Sequence, residues 1–427
     1  MSKHAAMPSS PTDRNPLALF EGFGVEIEEM VVDAETLDVR PGADRALVDD
    51  DGQVVSDVPR GVVAWCNELS AHVIEMKNDG PAPSLDGLAA EFQRSVRDIG
   101  QRLAPHGLRL MPTGMHPWMD PMREAVLWPH ECSEVYGAFD RIFDCRGHGW
   151  SNLQSVQINL PFADDEEFAR LHAAIRFLLP LMPGLTASTP FVEGVATGRR
   201  DNRMRYYRAN CAKIPSITGR VVPEVWRDRA GYEGMLSSIH RDLAPFDPER
   251  ILQREWVNAR GAIARFDRGA IEIRILDTQE CPAADIAVLA AITGVLRELV
   301  VGGRIDIDAL DRFETEELAG LLETVERDGD QAVIPAGAYL EVLGHGGRGG
   351  ARAGEVWEGL VERHLGDGAR DAGLWRRHLA AIAREGCLAR RIIAATGSTP
   401  GPERLRDVFR SLCDHLDAGT VFSVGDV

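Results

Sequence analysis

Between residues 84 and 104 the apolar positions Leu85, Leu88, Phe92, Val96, Ile99 and Leu103 recur every three or four residues. That spacing lines one side of a helix. Ser84 is placed to cap its start, and Gly107 lies just beyond its end. Residues 153–160, LQSVQINL, alternate instead, which is the period of a strand. DDEEFARLHAAIRFLLPLM, from residue 164, predicts a helix with acids in its first turn, where the helix dipole favours them. Residues 258–277 predict two strands joined at Asp267-Arg268-Gly269, a hairpin whose glycine can take positive φ. Residues 282–300 predict a buried helix. Further on, LGHGGRGGARAGE (343–355) has the composition of a flexible loop, and LWRRHLAAIAREGCLARRIIAA, from residue 374, predicts one more helix. There is no internal repeat or heptad array. Strands and helices mixed with hairpins predict an α+β fold with an antiparallel sheet.

The pattern breaks at GFGVEIEEM, residues 22–30. Strands are depleted in Glu, yet this one carries three. Glu26 and Glu28 share one face and Val25 and Ile27 the other, while Glu29 joins the apolar face or sits at a strand end. NELSAHVIEMK (67–77) likewise carries Glu68 and Glu75 in an apolar run. AIEIRILD (270–277) sets Glu272 and Arg274 on one face against Ile271, Ile273 and Ile275. One such strand is ordinary for a half-solvated sheet. Three of them gather carboxylates that repel unless cations sit between them. Hard oxygen ligands of this kind suit Mg²⁺ or Mn²⁺.

Charge narrows the picture. The 427 residues hold 47 basic and 66 acidic side chains, a net charge of −19 at pH 7, which disfavours non-specific nucleic-acid binding. Seven cysteines, an odd number with no Cys-x-x-Cys, point to reduced thiols in a cytoplasm rather than to a disulfide framework or a zinc site. The first 16 residues lack the apolar core of a signal peptide and read as a loose tail. No apolar run of 18 residues is present to span a membrane. Against this acidic background, residues 199–229 carry nine basic and three acidic side chains. Guanidinium forks there fit a clamp for phosphate or carboxylate. Carboxylate-held Mg²⁺ with an arginine clamp is equipment for phosphoryl transfer from a nucleotide. Neither a P-loop motif nor a Gly-x-Gly-x-x-Gly before a helix is present, which excludes P-loop, kinase-type and Rossmann sites.

Taken in order, these segments resemble the glutamate–cysteine ligase family, in particular its GCS2 or carboxylate–amine ligase branch. GVEIE is similar to that family's opening metal-binding strand, and ELSAHVIE keeps its two acids seven apart, at Glu68 and Glu75. PTGMHP (112–117) resembles its Gly-x-His-Pro segment, QSVQINLPF its Gln-x-Asn-Leu strand, and STPFVEGVATGRRDNRMR its Ser-Pro-Phe…Gly…Arg segment, with Arg203 at the arginine. IPSITGRVVPE and AIEIRILDTQ complete the series, which covers roughly residues 20–300. The resemblance implies a glutamine-synthetase-like fold, a curved antiparallel sheet forming a funnel with flanking helices. It implies ATP, two or three Mg²⁺ ions (Mn²⁺ as an alternative) and acyl-phosphate chemistry. Glu26, Glu28, Glu68, Glu75 and Glu272 would then be metal ligands on neighbouring strands. Arg203 and Arg274 would be catalytic and, with His116, bind the nucleotide; Gln157, Asn159 and Arg205 would bind substrate. The expected organisation is a tail at 1–16, a ligase catalytic domain at 17–300 and a mainly helical part, 301–427, packed on it. Expected partners are small amino acids or amines, without nucleic acid or membrane, the chain acting as a monomer or homodimer.

Lys77 and the Arg-rich stretch depart from the family pattern and leave the substrate pair open. The simplest activity is γ-glutamylcysteine formation, with another amino acid or amine as the alternative. A guanidino-kinase-like phosphotransferase needs a reactive cysteine and an acid pair that the sequence does not place. A non-catalytic ATP or amino-acid sensor would have no reason to keep mutually repelling acids. His116 serves equally as a structural hydrogen bonder; Trp226, Cys66 and Cys281 read as core.

Overall fold

The computed structural model describes residues 16–302, 306–346, 349–366 and 368–427. The expected tail, up to residue 15, lies outside the described residues. The centre is an open, antiparallel eight-stranded sheet. Its strands are β1 (Gly24–Asp33), β2 (Asp57–Arg60), β3 (Val63–Asn67), β4 (Val73–Asn78), β5 (Leu108–Met111) and β6 (Ser155–Pro161). A small hairpin of β7 (Phe191–Val192) and β8 (Val195–Ala196) stands apart, and β9 (Ala262–Arg265) and β10 (Ala270–Asp277) complete the sheet. The order is β2-β3-β4-β1-β6-β10-β9, with β5 paired to β1 as well.

Alternation gives the sheet two chemically different faces. Val25, Ile158 and Ile273 lie in register on the back, all fully buried. The helices Leu88–Leu103, Asp165–Leu178 and Pro282–Val301 share that core. Pro282–Val301 is buried nearly all round, as its unbroken apolar run predicts. Glu29 takes the apolar side of β1 and is buried with it.

Three local expectations are corrected. Ser84 does not cap the first helix; the helix begins at Leu88 after Gly87 at φ 83, whose N–H donates to Asp371 (2.7 Å). The segment from residue 374 is two helices, Ala372–Glu385 and Leu388–Thr396, broken at Gly386, where φ is 91. The Gly-rich stretch 343–355 is shorter as a loop than its composition suggests, because Ala353 already opens the helix Ala353–His364; residues 347–348 of it lie outside the described residues.

Helices beyond residue 306 are continuous with the same core through Leu318, Leu322, Trp357 and Leu379. Here the basic stretch finds its partners. Arg208 pairs with Glu326 (2.7 Å), Arg220 with Glu316 (3.0 Å) and Arg227 with Asp308 (2.6 Å). Much of the expected anion clamp is therefore a seam to the acidic helices Ile307–Asp311 and Thr315–Asp328, where its charge is compensated.

Candidate active site

The strand register assembles the polar face in rows. Asp57 pairs with Cys66, Cys66 with Glu75, and Glu75 with Glu28, so these four share one face across four strands. Glu28 continues onto β6, accepting from the Ser155 N–H (2.7 Å) and from Gln157 Nε2 (3.1 Å). A parallel row sets Lys77 beside Glu26 and Glu26 beside Gln157. Asn159 pairs with Glu272 and donates to Glu26 (3.2 Å).

Ligand oxygens of Glu28, Glu68 and Glu75 lie within 4.8 Å of one another. Glu68 is not on a strand; it sits on the β3–β4 connection, which folds it onto the Glu75 carboxylate. Burial and the facing Glu75 push the Glu28 carboxyl up to about 7. Burial, then Glu75 and Glu28, push Glu68 up as well. Three hard oxygen donors gathered this closely fit a Mg²⁺ or Mn²⁺ ion. Among the described residues this is the only such group of three.

The other half of the face is organised differently. Arg274 Nε donates to Glu272 (3.0 Å), a second contact runs from Nη2, and Arg265 lies 3.6 Å away. Burial alone would raise the Glu272 carboxyl, but these arginines outweigh it and hold it below the ordinary range. Glu26 falls between the halves. Burial, Glu75 and Glu272 push it well up, while Arg268 at 3.9 Å and Lys77 pull the other way. The structure thus brings Glu28, Glu68 and Glu75 together, and leaves Glu26 and Glu272 outside that group.

Arg203 lies beneath Arg274, only 2% exposed. A β-bulge between Ile273 and Leu276 adds a residue and turns Asp277 onto the polar face opposite Ser155. Asp277 then takes Arg203 Nη1 (3.4 Å), while Nη2 donates to the Arg274 carbonyl (2.7 Å). Two expected site residues stand apart from the carboxylates in their contacts. His116 is fully enclosed, with Nε2 on the Leu37 carbonyl (2.8 Å) and Nδ1 accepting from the Trp118 N–H (3.3 Å), so neither ring nitrogen is left for a nucleotide. Burial lowers its pKa to about 4, keeping the ring neutral. Arg205 is exposed and lies over the Tyr206 ring.

Sequence reading missed Arg265, Arg268 and Tyr207. Arg268 was legible only as the middle of a turn, yet the hairpin tip is what carries it to Glu26. Arg265 could have been found by extending the alternation of Glu272 across the hairpin, since it pairs with Ala270. Tyr207, on the helix Arg203–Asn210, meets Arg274 through a fold-back that spacing does not reveal.

The fold is a mixed one of helices and an antiparallel sheet, with a carboxylate trio and paired arginines on one face of the sheet. A crystal structure of glutamate–cysteine ligase from Francisella tularensis, in complex with AMP, aligns over 92% of this chain and 88% of its own, with a TM-score of 0.58 at 12% identity. The model of glutamate-cysteine ligase family 2 (GCS2) matches residues 22–329. The chain belongs to that family, a family of ATP-dependent carbon–nitrogen ligases. It is 33% identical to an uncharacterized protein of Archaeoglobus fulgidus over 74% of this chain and 87% of the other. It is 24% identical to a glutamate–cysteine ligase of Haloquadratum walsbyi over 59% of this chain and 67% of that one. The relatives found by sequence and named as glutamate–cysteine ligases are matched over 47–67% of their own lengths.

Proposed function

We propose that the chain joins a carboxylate to an amine with ATP through an acyl phosphate, γ-glutamylcysteine formation being the simplest case. The observation that carries this reading is the division of the polar face into a carboxylate trio gathered within 4.8 Å and an arginine-paired half. Glu28, Glu68 and Glu75 would hold Mg²⁺ or Mn²⁺, which when bound supplies neutralisation of phosphate charge. Gln157 and Asn159 orient Glu28 and Glu26. Arg274, with Arg268 on the hairpin tip, meets the oxygens of the transferring phosphoryl group, a preorganised electrostatic role. Arg203 keeps Arg274 in place by holding its carbonyl.

In this scheme a substrate carboxylate oxygen attacks the γ-phosphorus and the bond to ADP breaks. The amine nitrogen then attacks the acyl carbon, the carbon–oxygen bond to phosphate breaks, and the amine loses a proton. The products are amide, ADP and phosphate. Cys66 is no rival nucleophile, since burial and the adjacent Glu75 push its thiol well above the usual range.

Carboxylate labelled with ¹⁸O, incubated with ATP and hydroxylamine, should give a hydroxamate and one label in the released phosphate. Release of AMP, or of unlabelled phosphate, overturns the acyl-phosphate scheme.

A further inference from the structure

A groove of about 360 Å³ lies where two helices, Ser133–Phe143 and Arg203–Asn210, come to an end. The ligase scheme gives it no task. Its apolar wall is Phe143 stacked on Trp150, with 5.4 Å between ring centroids, and Met122 stands on its rim, 61% exposed. The short segment His148–Ser151 lies this close to the second helix because residue 149 is glycine; a Cβ there would stand 2.6 Å from the Tyr206 carbonyl oxygen. That packing seats His148 in the groove beside Tyr206, 4.8 Å between ring centroids, with its side chain only 6% exposed. Its Nδ1 accepts from Asn152 Nδ2 (3.0 Å), so Nε2 carries the proton and donates to Glu193 (3.3 Å). Burial lowers the His148 pKa and keeps the ring neutral.

Glu193 is the charge this groove leaves open. With Gly194 it forms the two-residue turn between β7 and β8, at φ 48, where Asn or Gly is the usual choice. A glutamate held there is a local backbone cost. Among the described residues no Lys or Arg forms an ion pair with it, while Arg146, also on the groove, is held by Asp144 through two hydrogen bonds of 2.8 and 2.9 Å. The last turns of both helices add carbonyl ends, which favour a cation. We propose that the groove binds an aromatic primary amine, its ammonium on Glu193 and its ring against Trp150 and Phe143. An anion of the same shape would meet Glu193 and the helix ends, and an aliphatic amine would forgo the aromatic contact. The groove is not the carboxylate face. The helix Arg203–Asn210 turns Tyr206 toward the groove, whereas Arg203 and Tyr207 turn toward Asp277 and Arg274. This inference goes beyond the ligase reading and does not depend on it.

Calorimetric titration of the full chain with 2-phenylethylamine, without nucleotide or metal, tests the site. The comparison ligands are 3-phenylpropionate, of similar shape and opposite charge, and butylamine, which lacks the ring. 2-Phenylethylamine should bind about tenfold more tightly than either, since one lacks the charge match and the other the aromatic contact. Glu193→Gln should weaken its binding about fivefold, the scale for a partly exposed charge pair. Met122→Lys, which places an ammonium on the rim, should weaken it at least as much. Glu193 and Met122 are both exposed, so thermal melting should show both variants folded. Equal affinity for the amine and the acid overturns the charge assignment, and wild-type affinity in both folded variants overturns the location. Absence of binding to the wild-type chain at millimolar amine overturns the proposal and leaves the acyl-phosphate scheme standing, because labelled phosphate tests that scheme separately.

Discussion

The two halves of the polar face hold similar acids to opposite ends. On β1 and β4, Glu28 and Glu75 face each other with Glu68 folded in from a loop, their carboxylate oxygens within 4.8 Å of one another. On β10, Glu272 is held by Arg274 and approached by Arg265. The first arrangement sets like charges against one another, while the second is charge-paired within the protein. A carboxylate on a strand is thus not yet a ligand. What decides is whether the neighbouring strand supplies a guanidinium or a second acid.

Three predictions press on that contrast, the largest first. Glu75→Gln should abolish high-affinity Mn²⁺ binding and lower turnover by more than about 10³-fold, with the fold intact by circular dichroism. Glu26→Gln should weaken Mn²⁺ binding far less in the absence of nucleotide, because Glu26 lies outside the trio. Equal effects of the two changes in calorimetric Mn²⁺ titrations would dissolve the distinction between the halves.

Arg274→Ala should lower kcat by about 10²–10³-fold, the scale for loss of one preorganised charge partner. Arg274→Lys should recover only part of it, because the two-pronged grip on Glu272 is lost. A variant altered solely in KM for ATP would assign Arg274 to ground-state binding.

The smallest effect is a pH dependence of metal affinity. The Glu28 carboxyl, raised to about 7, holds a proton below that value that a metal must displace. Mn²⁺ affinity should therefore rise with pH, by about tenfold per unit for the Glu28 proton and more steeply where Glu68 is protonated too. A flat profile between pH 6 and 8 would remove Glu28 from the ligand set.

Much of this was legible beforehand because alternation is a short-range rule. The faces of Glu26, Glu28, Glu75 and Glu272 follow from counting by twos, and the helix Pro282–Val301 from its unbroken apolar run. The pairing of charges was not legible, since it depends on register between distant strands. Glu28 meets Glu75 and Glu272 meets Arg265 only once those registers are set. The basic stretch misled for the same reason. Its composition suggested an anion site, but its partners lie in Ile307–Asp311 and Thr315–Asp328, about a hundred residues downstream. Asp277 escaped notice because the bulge in β10 shifts the count by one.

Glu29 turns the same strand into a store of protons. Neither of its carboxylate oxygens has a hydrogen-bond partner, and Asp285, on the buried helix behind it, leaves one oxygen unpartnered as well. Burial, and for Glu29 the nearby Asp285 and Asp417, push both carboxyls well above their ordinary values. In the unfolded chain they would ionise in the usual acid range, so the native state holds protons at pH values where the unfolded state has let them go. Their contribution to stability is complete below the unfolded pKa and declines as pH rises toward the folded one. The strand that sets Glu28 among facing carboxylates on one side thus carries acid equivalents on the other, and unfolding returns them to the solvent.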